Sequence, residues 1–351
     1  MMKLVIIGGG FCGSLCAKKL ENKFEAVLID KNDYFEFIPA VPRVLVKEKD
    51  IPKIRVCHSN YLKNTKILLG EVNKINNKFV LVKKDKKYEK INYDYLIIAA
   101  GSRYAPFKAN NALAATRSSD LKKYSEKINK AGEILIIGGG LVGVEMAAEL
   151  VTKTNKKVTI VHANDRLIER NSLKASEYAK KFLESRGCKI ILNERIRKPK
   201  EGEKTFFTES EDKIKGDFAF ICTGIKSNAD LIGFYKKNKI DKKGYLTVND
   251  YLQVEENIFA GGDIASINEE KTAQNSRRNA KFICNNIIRK IKDKEMLKYK
   301  TKSTPLVISL GAYDGIFSYN NFLLKGKIPA LMKYLIEKII LLEYKIKGFL
   351  I

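Results

Sequence analysis

Short aliphatic runs followed by glycine-rich turns recur along this chain and predict buried strands. The runs at 4–7 and 134–137 contain no polar residue, and each leads through a glycine loop into a segment with helical periodicity, at 15–20 and 145–150. Continuous apolar strands are typical of parallel sheets that helices cover on both faces. The pattern therefore predicts an α/β protein in which one strand–loop–helix unit occurs twice.

The two glycine loops have the same form. They read Gly-Gly-Gly-Phe-Cys-Gly at 8–13 and Gly-Gly-Gly-Leu-Val-Gly at 138–143. In such a loop glycine allows a tight turn, lets the backbone approach a pyrophosphate and packs the helix close to its strand. The phosphates are then bound by N–H groups at the positive end of the helix. One loop is weak evidence, but two in one chain indicate two dinucleotides and hence redox chemistry.

The composition is that of a globular protein with a strong positive charge. Of 351 residues, 45% are hydrophobic and 30% charged, and the net charge is +26. This charge could attract an anionic membrane or nucleic acid, or it could reflect an AT-rich coding bias or thermophilic lysine enrichment. The lysines are scattered, which favours compositional bias. Because no helix-turn-helix, zinc finger or arginine-rich cluster is present, no nucleic acid is expected as a partner.

Cysteine and histidine usage narrows the chemistry further. The six cysteines form no CxxC pair, and only two histidines occur, which argues against a histidine-rich metal site and a Ser-His-Asp hydrolase. Strand residues begin almost at Met1, and no stretch of 18 uncharged apolar residues is present. We therefore expect an intracellular protein with free thiols, no signal peptide, no bound metal and no membrane-spanning helix.

Four motifs in one order resemble the two-dinucleotide-binding-domain flavoproteins of the pyridine nucleotide-disulfide oxidoreductase fold. The first loop with Asp30 resembles the FAD fingerprint, 93–101 and 257–263 resemble the second and third FAD motifs, and the second loop with Glu145 resembles the NAD(P)H loop. The resemblance covers residues 1 to about 290. It implies two Rossmann-like domains of the glutathione-reductase type, the second inserted in the first, which bind FAD and use NADH or NADPH.

The resemblance also implies domain bounds and site residues. We expect an FAD-binding domain at 1–110 and 250–327, an NAD(P)H-binding domain at 111–249 and a C-terminal amphipathic helix at 328–351. The predicted catalytic residues are Glu145, Gln274, Arg278 and Asn279. The predicted cofactor-binding residues are Gly8, Gly10, Phe11, Cys12, Gly13, Asp30, Lys31, Pro39, Arg43, Val72, Ala100, Gly101, Gly138, Gly140, Leu141, Val142, Gly143, Glu145, His162, Thr223, Gly224, Gly262, Asp263 and Ala273.

Three features distinguish branches of this fold. Disulfide reductases carry CxxxxC after the first acidic strand end, whereas 34–43 contains no cysteine. The Tyr-Phe-x-Phe-x-Pro stretch at 34–39 and the stretch at 309–315, which contains Leu-Gly-x-x-Asp-Gly, resemble type II NADH dehydrogenases. The second stretch also resembles the ferroptosis-suppressor and AIF-like NAD(P)H:quinone reductases. Where type II dehydrogenases have a glutamine pair, this chain has Arg278 and Asn279. An NAD(P)H:quinone oxidoreductase without a redox disulfide is therefore expected.

Two further functions remain open at this point. A soluble NAD(P)H reductase could donate to an acidic carrier such as ferredoxin or rubredoxin, which would suit the basic charge. An AIF-like flavoprotein with a basic surface could bind nucleic acid, and such binding would weaken steeply with salt. The C-terminal segment distinguishes the quinone oxidoreductase from the soluble reductase, because a soluble reductase needs this segment only at a dimer interface.

The C-terminal segment has one apolar helical stripe flanked by lysines. The stripe consists of Leu331, Leu335, Ile339, Leu342, Ile346 and Leu350, and the lysines are Lys333, Lys338, Lys345 and Lys347. Such a helix can lie on an anionic membrane, although a core or homodimer helix has the same pattern. We expect a peripheral protein on the cytoplasmic face of a membrane, or alternatively a cytoplasmic one. Deleting 329–351 should then release it from liposomes without affecting flavin reduction.

The residues at the ends of the second strand of each unit bear on cofactor choice. Asp30, 20 residues after Gly10, can accept hydrogen bonds from both hydroxyls of an adenosine ribose. The equivalent strand of the second unit ends in His162, which can donate to a 2′-phosphate, with Lys157 and Arg166 nearby in sequence. His162 could also simply end the strand. The interpretation favours an enzyme that accepts NADPH at least as well as NADH.

Overall fold

The computed structural model describes residues 1–104, 112–114, 120–197 and 205–346. In chain order its α-helices are α1 Phe11–Leu20, α2 Val41–Val46, α3 His58–Tyr61, α4 Leu121–Lys130, α5 Leu141–Lys153, α6 Leu173–Glu184, α7 Ala273–Lys290 and α8 Lys327–Lys345. Its strands are β1 Lys3–Ile7, β2 Glu25–Asp30, β3 Tyr34–Glu36, β4 Arg55–Cys57, β5 Thr65–Leu69, β6 Glu71–Ile75, β7 Phe79–Lys84, β8 Lys87–Asn92, β9 Tyr95–Ile98, β10 Ser102–Tyr104, β11 Ala112–Ala114, β12 Glu133–Ile137, β13 Lys157–Val161, β14 Lys189–Ile191, β15 Thr205–Phe207, β16 Lys213–Lys215, β17 Phe218–Ile221, β18 Ile225–Ser227, β19 Gln253–Glu255, β20 Ile258–Ala260, β21 Leu306–Ser309, β22 Gly315–Tyr319 and β23 Phe322–Lys325. Short 3₁₀ helices span Ile38–Ala40, Glu48–Ile54, Asn228–Asp230, Lys237–Lys239 and Gly262–Ile264.

Two parallel sheets carry the two glycine loops. The first has the order β19-β20-β9-β1-β2-β5, and only β19 runs antiparallel to its neighbour. The second has the order β11-β17-β12-β13-β14 and is parallel throughout. The four strands β9-β1-β2-β5 correspond to β17-β12-β13-β14, which confirms the predicted α/β class with a repeated unit.

The strand membership of the sheets shows how the second unit is inserted. The first sheet takes strands from residues 3–98 and 253–260, and the second takes them from 112–221. A two-stranded antiparallel ribbon, β10 with β18, joins the segments through which the chain enters and leaves the second unit. The domain bounds proposed above stay a prediction, since the expected boundary at 110/111 lies outside the described residues.

Smaller antiparallel sheets complete the chain. Strands β6-β7-β8 form one three-stranded sheet and β21-β22-β23 another, while β3-β4 and β15-β16 form two-stranded ribbons. Helix α1 lies between the first sheet and α7, and buried side chains from all three form the main core. Helix α8 packs on β21 and β22 and continues to α3 and β4 of the first unit.

Helix α8 has two different faces. Ala330, Glu337, Leu341 and Tyr344 are buried against the protein. The stripe residues Leu331, Leu335, Ile339, Leu342 and Ile346 are all exposed, whereas Lys347 and Leu350 lie outside the described residues. No helix in the described part of the chain is both long enough and apolar enough to cross a membrane.

Candidate active site

The first glycine loop is closed against β9 and open at the start of α1. Gly8 has a φ of +96°, and a Cβ on it would lie 2.3 Å from the carbonyl oxygen of Ala99. A Cβ on Gly13 would lie 1.9 Å from the carbonyl oxygen of Gly8, so both positions require glycine. A Cβ on Gly10 would have no protein atom within 4 Å. This open cradle at a helix N-terminus fits a dinucleotide pyrophosphate.

Asp30 holds the first glycine loop in place. Its Oδ2 accepts a hydrogen bond from the Gly9 N–H, and its Oδ1 accepts one from the Asn32 N–H at 2.8 Å. Each carboxylate oxygen has two lone pairs, so these bonds are compatible with the predicted bonds to a ribose. Asp30 therefore has a positioning role that its spacing in the sequence did not indicate.

His58 is a residue of this site that sequence reasoning missed. Its ring is fully buried, and a Cβ on Gly9 would lie 2.5 Å from it. The His58 Nδ1 and the Tyr61 hydroxyl are 2.5 Å apart. No motif indicated His58, because it approaches the glycine loop from α3, which is distant in sequence.

Two predicted cofactor contacts of the first unit are ion-paired within the protein. Lys31 is exposed and pairs with Glu71 at 2.7 Å. Arg43 pairs with Glu337 of α8 at 2.6 Å and with Asp50 at 3.5 Å. Arg43 thus attaches α2 to α8, a contact between distant segments that no local motif could predict.

The apolar residues predicted at the first unit do not form one cluster. Phe11 is buried and packs edge to face against Phe35, with ring centroids 5.1 Å apart. Pro39 lies in a 3₁₀ helix, partly exposed. Val72, in β6, packs against the core on the opposite face of the first sheet from Phe11. The predicted contact of Val72 with a cofactor stays a prediction.

The second glycine loop repeats the geometry of the first. Gly138 has a φ of +108°, and a Cβ on Gly143 would lie 2.0 Å from the Gly138 carbonyl oxygen. Gly140 again has open space at the start of its helix, α5. The other residues predicted here lie at the same carboxyl edge of the second sheet, namely Leu141, Val142, Thr223 and Gly224. This cradle also fits a pyrophosphate.

The surroundings of His162 differ from those that its sequence position suggested. Its Nδ1 accepts a hydrogen bond from the Gly139 N–H at 3.1 Å, and its Nε2 lies 3.2 Å from Glu169 Oε2. Arg166 donates to two backbone carbonyls, and Lys157 lies at the far end of β13 in an exposed ion pair. The expected cluster of three cations is therefore absent among these residues.

Glu145 joins three elements at one point. It is buried one turn inside α5, and its Oε1 accepts hydrogen bonds from the Ser309 N–H at 3.0 Å and the Ser309 hydroxyl at 3.3 Å. The ammonium of Lys333, on α8, pairs with the same oxygen. The predicted catalytic acid of the NAD(P)H loop is thus in direct contact with the C-terminal helix.

The second and third motifs meet between the two sheets. Ala100 and Gly101 follow β9, and a Cβ on Gly101 would have no protein atom within 4 Å. The Ser102 hydroxyl donates to Asp263 Oδ2 at 2.8 Å. Burial raises the pKa of Asp263, against the lowering effects of Ser102 and the nearby Lys271. Asp263 is therefore a partly buried carboxylate that is hydrogen-bonded beside Gly101, and its contact with a cofactor stays a prediction.

Arg278 and Asn279 belong to a hydrogen-bonded network rather than to an open pocket. Arg278 pairs with Glu269 and donates to the Tyr299 hydroxyl at 2.8 Å. The Asn279 amide donates to Glu269 at 2.9 Å, and its oxygen accepts from the Gly262 N–H at 2.9 Å. These contacts support a positioning role for both residues. Of the other two residues predicted beside them, Ala273 is partly exposed and Gln274 is exposed, in the first turn of α7.

The six cysteines are free thiols, and five of them are buried. Cys16 of α1 has a raised pKa because it contacts Cys12 and then Cys284, in addition to its burial. Cys222 lies at the end of β17 in the other unit, and burial raises its pKa to about 12. Cys284 thus lies beside Cys16 of the first unit, whereas Cys222 follows a strand of the second unit.

Comparisons with known proteins agree with this geometry. The family model described as pyridine nucleotide-disulphide oxidoreductase matches residues 2–280. Apoptosis-inducing factor homolog B of Dictyostelium discoideum is 32% identical over 90% of this chain and 88% of its own. Ferroptosis suppressor protein 1 of Taeniopygia guttata is 29% identical over 92% of this chain and 89% of its own.

A solved structure shows the same fold over almost the whole chain. NDH2 from Plasmodium falciparum, in complex with NADH, superposes with a TM-score of 0.86 at 17% identity and covers 98% of this chain and 95% of its own. Together with the paired cradles, these matches establish the class of protein. The chain belongs to the pyridine nucleotide-disulphide oxidoreductase family and is an FAD-dependent NAD(P)H oxidoreductase.

Proposed function

We propose that this protein is an NAD(P)H:quinone oxidoreductase that works on an anionic membrane surface, on the cytoplasmic side. The motifs at 34–39 and 309–315 support this function through their similarity to type II NADH dehydrogenases and ferroptosis-suppressor reductases. The observation that carries the proposal is the position of α8. Its inner face contacts Glu145, the predicted catalytic acid of the NAD(P)H loop, and its outer face is apolar and exposed.

The outer face of α8 is unusually apolar for a surface helix. The exposed apolar residues of this face are each between 42% and 59% accessible. They are Ile328, Leu331, Tyr334, Leu335, Ile336, Ile339, Leu342 and, directly after the helix, Ile346. A continuous apolar patch on a protein surface marks a site of interaction with a membrane or another protein. The length of α8, about 28 Å for 19 residues, is enough to lie along a bilayer surface.

Basic residues accompany this apolar face. Lys327, Lys338 and Lys345 lie on α8, and the chain as a whole carries a charge of +26. Lysines beside an apolar helix face favour anionic headgroups, to which each contributes about 1 kcal/mol near the surface. We therefore favour a lipid surface over a second copy of the chain as the occupant of this face.

The two glycine loops and the acids near them would bind different nucleotides. Bound FAD would accept a hydride from NAD(P)H and pass two electrons to the acceptor. The loop from Gly8 to Gly13 would hold its pyrophosphate, Asp30 its ribose and Asp263 its ribityl chain. The second loop, from Gly138 to Gly143, would hold NAD(P)H.

The Glu145–Lys333 pair suits the proton balance of quinone reduction. Forming a quinol from a quinone takes up two electrons and two protons, whereas a hydride carries two electrons and one proton. The second proton must come from the protein or from water. Glu145 and Lys333 form an ion pair at the junction of α5 and α8, next to the apolar face where a membrane quinone would enter. They are our candidates for supplying it.

The first experiment reduces the flavin anaerobically with NADH or NADPH and then follows its reoxidation by a panel of quinones. Lys333→Met should slow reoxidation by quinone at least about tenfold, since positioned proton donors typically contribute about 10²–10⁴-fold. Reduction by NADH should change less. Lys338→Met removes the same charge from the exposed side of α8 and should stay within about twofold of the unmutated rate.

The same experiment separates the alternative functions. Lys333→Arg keeps the charge beside Glu145, but a guanidinium releases no proton, so this variant should be as slow as Lys333→Met, provided that FAD content is unchanged. If no quinone reoxidises the flavin but ferredoxin or rubredoxin does, the protein is a soluble carrier reductase. If Lys333→Met and Lys338→Met have equal rates, the pair does not supply a proton.

A second prediction concerns the membrane. Replacing Leu331, Leu335 and Ile339 together with glutamine should abolish binding to anionic vesicles while FAD content and flavin reduction remain normal, because all three side chains are exposed. Co-sedimentation with phosphatidylserine vesicles at low and high salt measures this. Substitution is preferable to deleting 329–351, because α8 also carries buried residues. If unmutated protein ignores vesicles and the triple substitution splits a dimer in light scattering, the face is a dimer interface.

A further inference from the structure

An acidic side chain, Glu169, lies beside the second glycine loop. It contacts His162, the residue on which the predicted choice of cofactor rests. We infer that Glu169 binds the adenosine ribose of the nicotinamide nucleotide and thereby makes NADH the preferred substrate over NADPH. The inference rests on the family's use of NAD(P)H and is independent of the electron acceptor.

The ring of His162 is fully engaged by its two neighbours. The Gly139 N–H can donate only to an unprotonated Nδ1, so in this arrangement the ring proton lies on Nε2. That N–H faces Glu169 Oε2 at 3.2 Å. His162 therefore has no donor left for a 2′-phosphate, and it acts as a link between the glycine loop and Glu169.

The loop after β13 is folded so that Glu169 stays at this position. The Ile168 N–H donates to the Gly139 carbonyl at 2.8 Å, which ties the loop directly to the glycine turn. The guanidinium of Arg166 donates to the carbonyls of Glu169 at 2.5 Å and Asn171 at 2.9 Å. The backbone on both sides of the acid is thus fixed by hydrogen bonds.

The position of Glu169 matches that of a ribose ligand. In the first unit Asp30 is the last residue of β2 and accepts a hydrogen bond from the Gly9 N–H, and in the second unit His162 directly follows β13 and accepts one from the Gly139 N–H. Glu169 lies beyond the His162 ring, and its side chain is 34% exposed, between the buried imidazole and solvent. This is the carboxyl edge of the strands, where the adenosine ribose lies in this fold.

Two cations near this edge are engaged by other groups. Arg166 faces the backbone, and Arg170 is largely exposed and pairs with Glu270 at 3.3 Å. Glu194, which follows β14 at the same edge, adds a second carboxylate. A ribose 2′-hydroxyl can donate to the Glu169 carboxylate, whereas a 2′-phosphate beside it would be repelled.

The test compares binding of ADP-ribose and 2′-phospho-ADP-ribose by calorimetry to the FAD-loaded protein. Neither ligand carries a nicotinamide, so the result does not depend on hydride transfer or on the acceptor. Unmutated protein should bind ADP-ribose at least tenfold more tightly, and kcat/KM for flavin reduction should favour NADH over NADPH to a similar extent. Glu169→Gln, which keeps an acceptor for the His162 N–H, should lower both ratios at least tenfold.

The control is Glu177→Gln, which removes the same charge from an exposed position on α6. It should leave both ratios within about twofold of the unmutated protein. The inference is overturned if the unmutated protein binds 2′-phospho-ADP-ribose as well as ADP-ribose, or if Glu169→Gln changes the ratios no more than Glu177→Gln. A failure of the quinone assays would leave this result unaffected.

Discussion

Replacing Tyr344 with alanine is expected to lower the free energy of unfolding by about 3–5 kcal/mol, the usual range for removing a large buried aromatic side chain. Tyr344 is fully buried although it lies on the C-terminal helix. Its ring stacks on Phe35 with centroids 4.0 Å apart and packs edge to face on Tyr61 at 4.8 Å. Its hydroxyl is 2.8 Å from the Ser14 hydroxyl of α1. The substitution would therefore open a cavity in the first unit.

Tyr334 provides a matched control on the same helix. It is exposed, so Tyr334→Ala should cost no more than about 0.5 kcal/mol. Tyr344→Phe keeps the ring and should cost about 1 kcal/mol, the value of one hydrogen bond. Denaturant unfolding of all three variants, followed by circular dichroism at fixed FAD concentration, measures the differences. Equal stability of Tyr344→Ala and Tyr334→Ala would contradict the docking of α8.

The second large effect is expected at the two glycine loops, and it should separate the two nucleotides. Gly13→Ala places a methyl group 1.9 Å from the Gly8 carbonyl oxygen and should abolish FAD binding. Gly143→Ala makes the equivalent clash with Gly138 at 2.0 Å in the other unit. Gly143→Ala should therefore give a yellow protein whose flavin is reduced by NADH at least about 100-fold more slowly, because misplacement by about 1 Å can cost this much.

Absorbance of the purified proteins and anaerobic stopped-flow reduction measure these two outcomes. Gly132→Ala is the control, since a Cβ there would meet only Asp217 Oδ2 at an ordinary 3.6 Å. It should bind FAD and react with NADH normally. If Gly143→Ala loses FAD while Gly13→Ala retains it, the assignment of the two cradles must be reversed.

The repeated unit could be predicted from the sequence because its signals are local. An apolar strand, a glycine turn and a helix follow one another within about 20 residues, and the steric requirements at Gly8 and Gly13 act within the same loop. The acid at the end of β2 could be predicted for the same reason.

Contacts between distant segments could not be predicted in this way. The apolar stripe of α8 showed that a helix would form, but either face could have packed inward. Tyr344 decides the orientation, because it meets Phe35 of the first unit, which lies some 300 positions earlier in the chain. The same limit applies to His162, whose partner Glu169 depends on how one loop folds back. It also applies to Arg278 and Asn279, whose partner Tyr299 lies on a later segment.

The insertion of one unit into the other has a consequence for the order in which the protein folds. The second sheet is made from one continuous stretch, 112–221, so it can form as soon as that stretch has been synthesised. The first sheet needs β20 beside β9, and its core needs Tyr344 beside Phe35. Contacts of such long sequence separation form slowly. The nucleotide unit in the middle of the chain should therefore fold first, and the unit made from both flanking segments should become competent to bind its cofactor only afterwards.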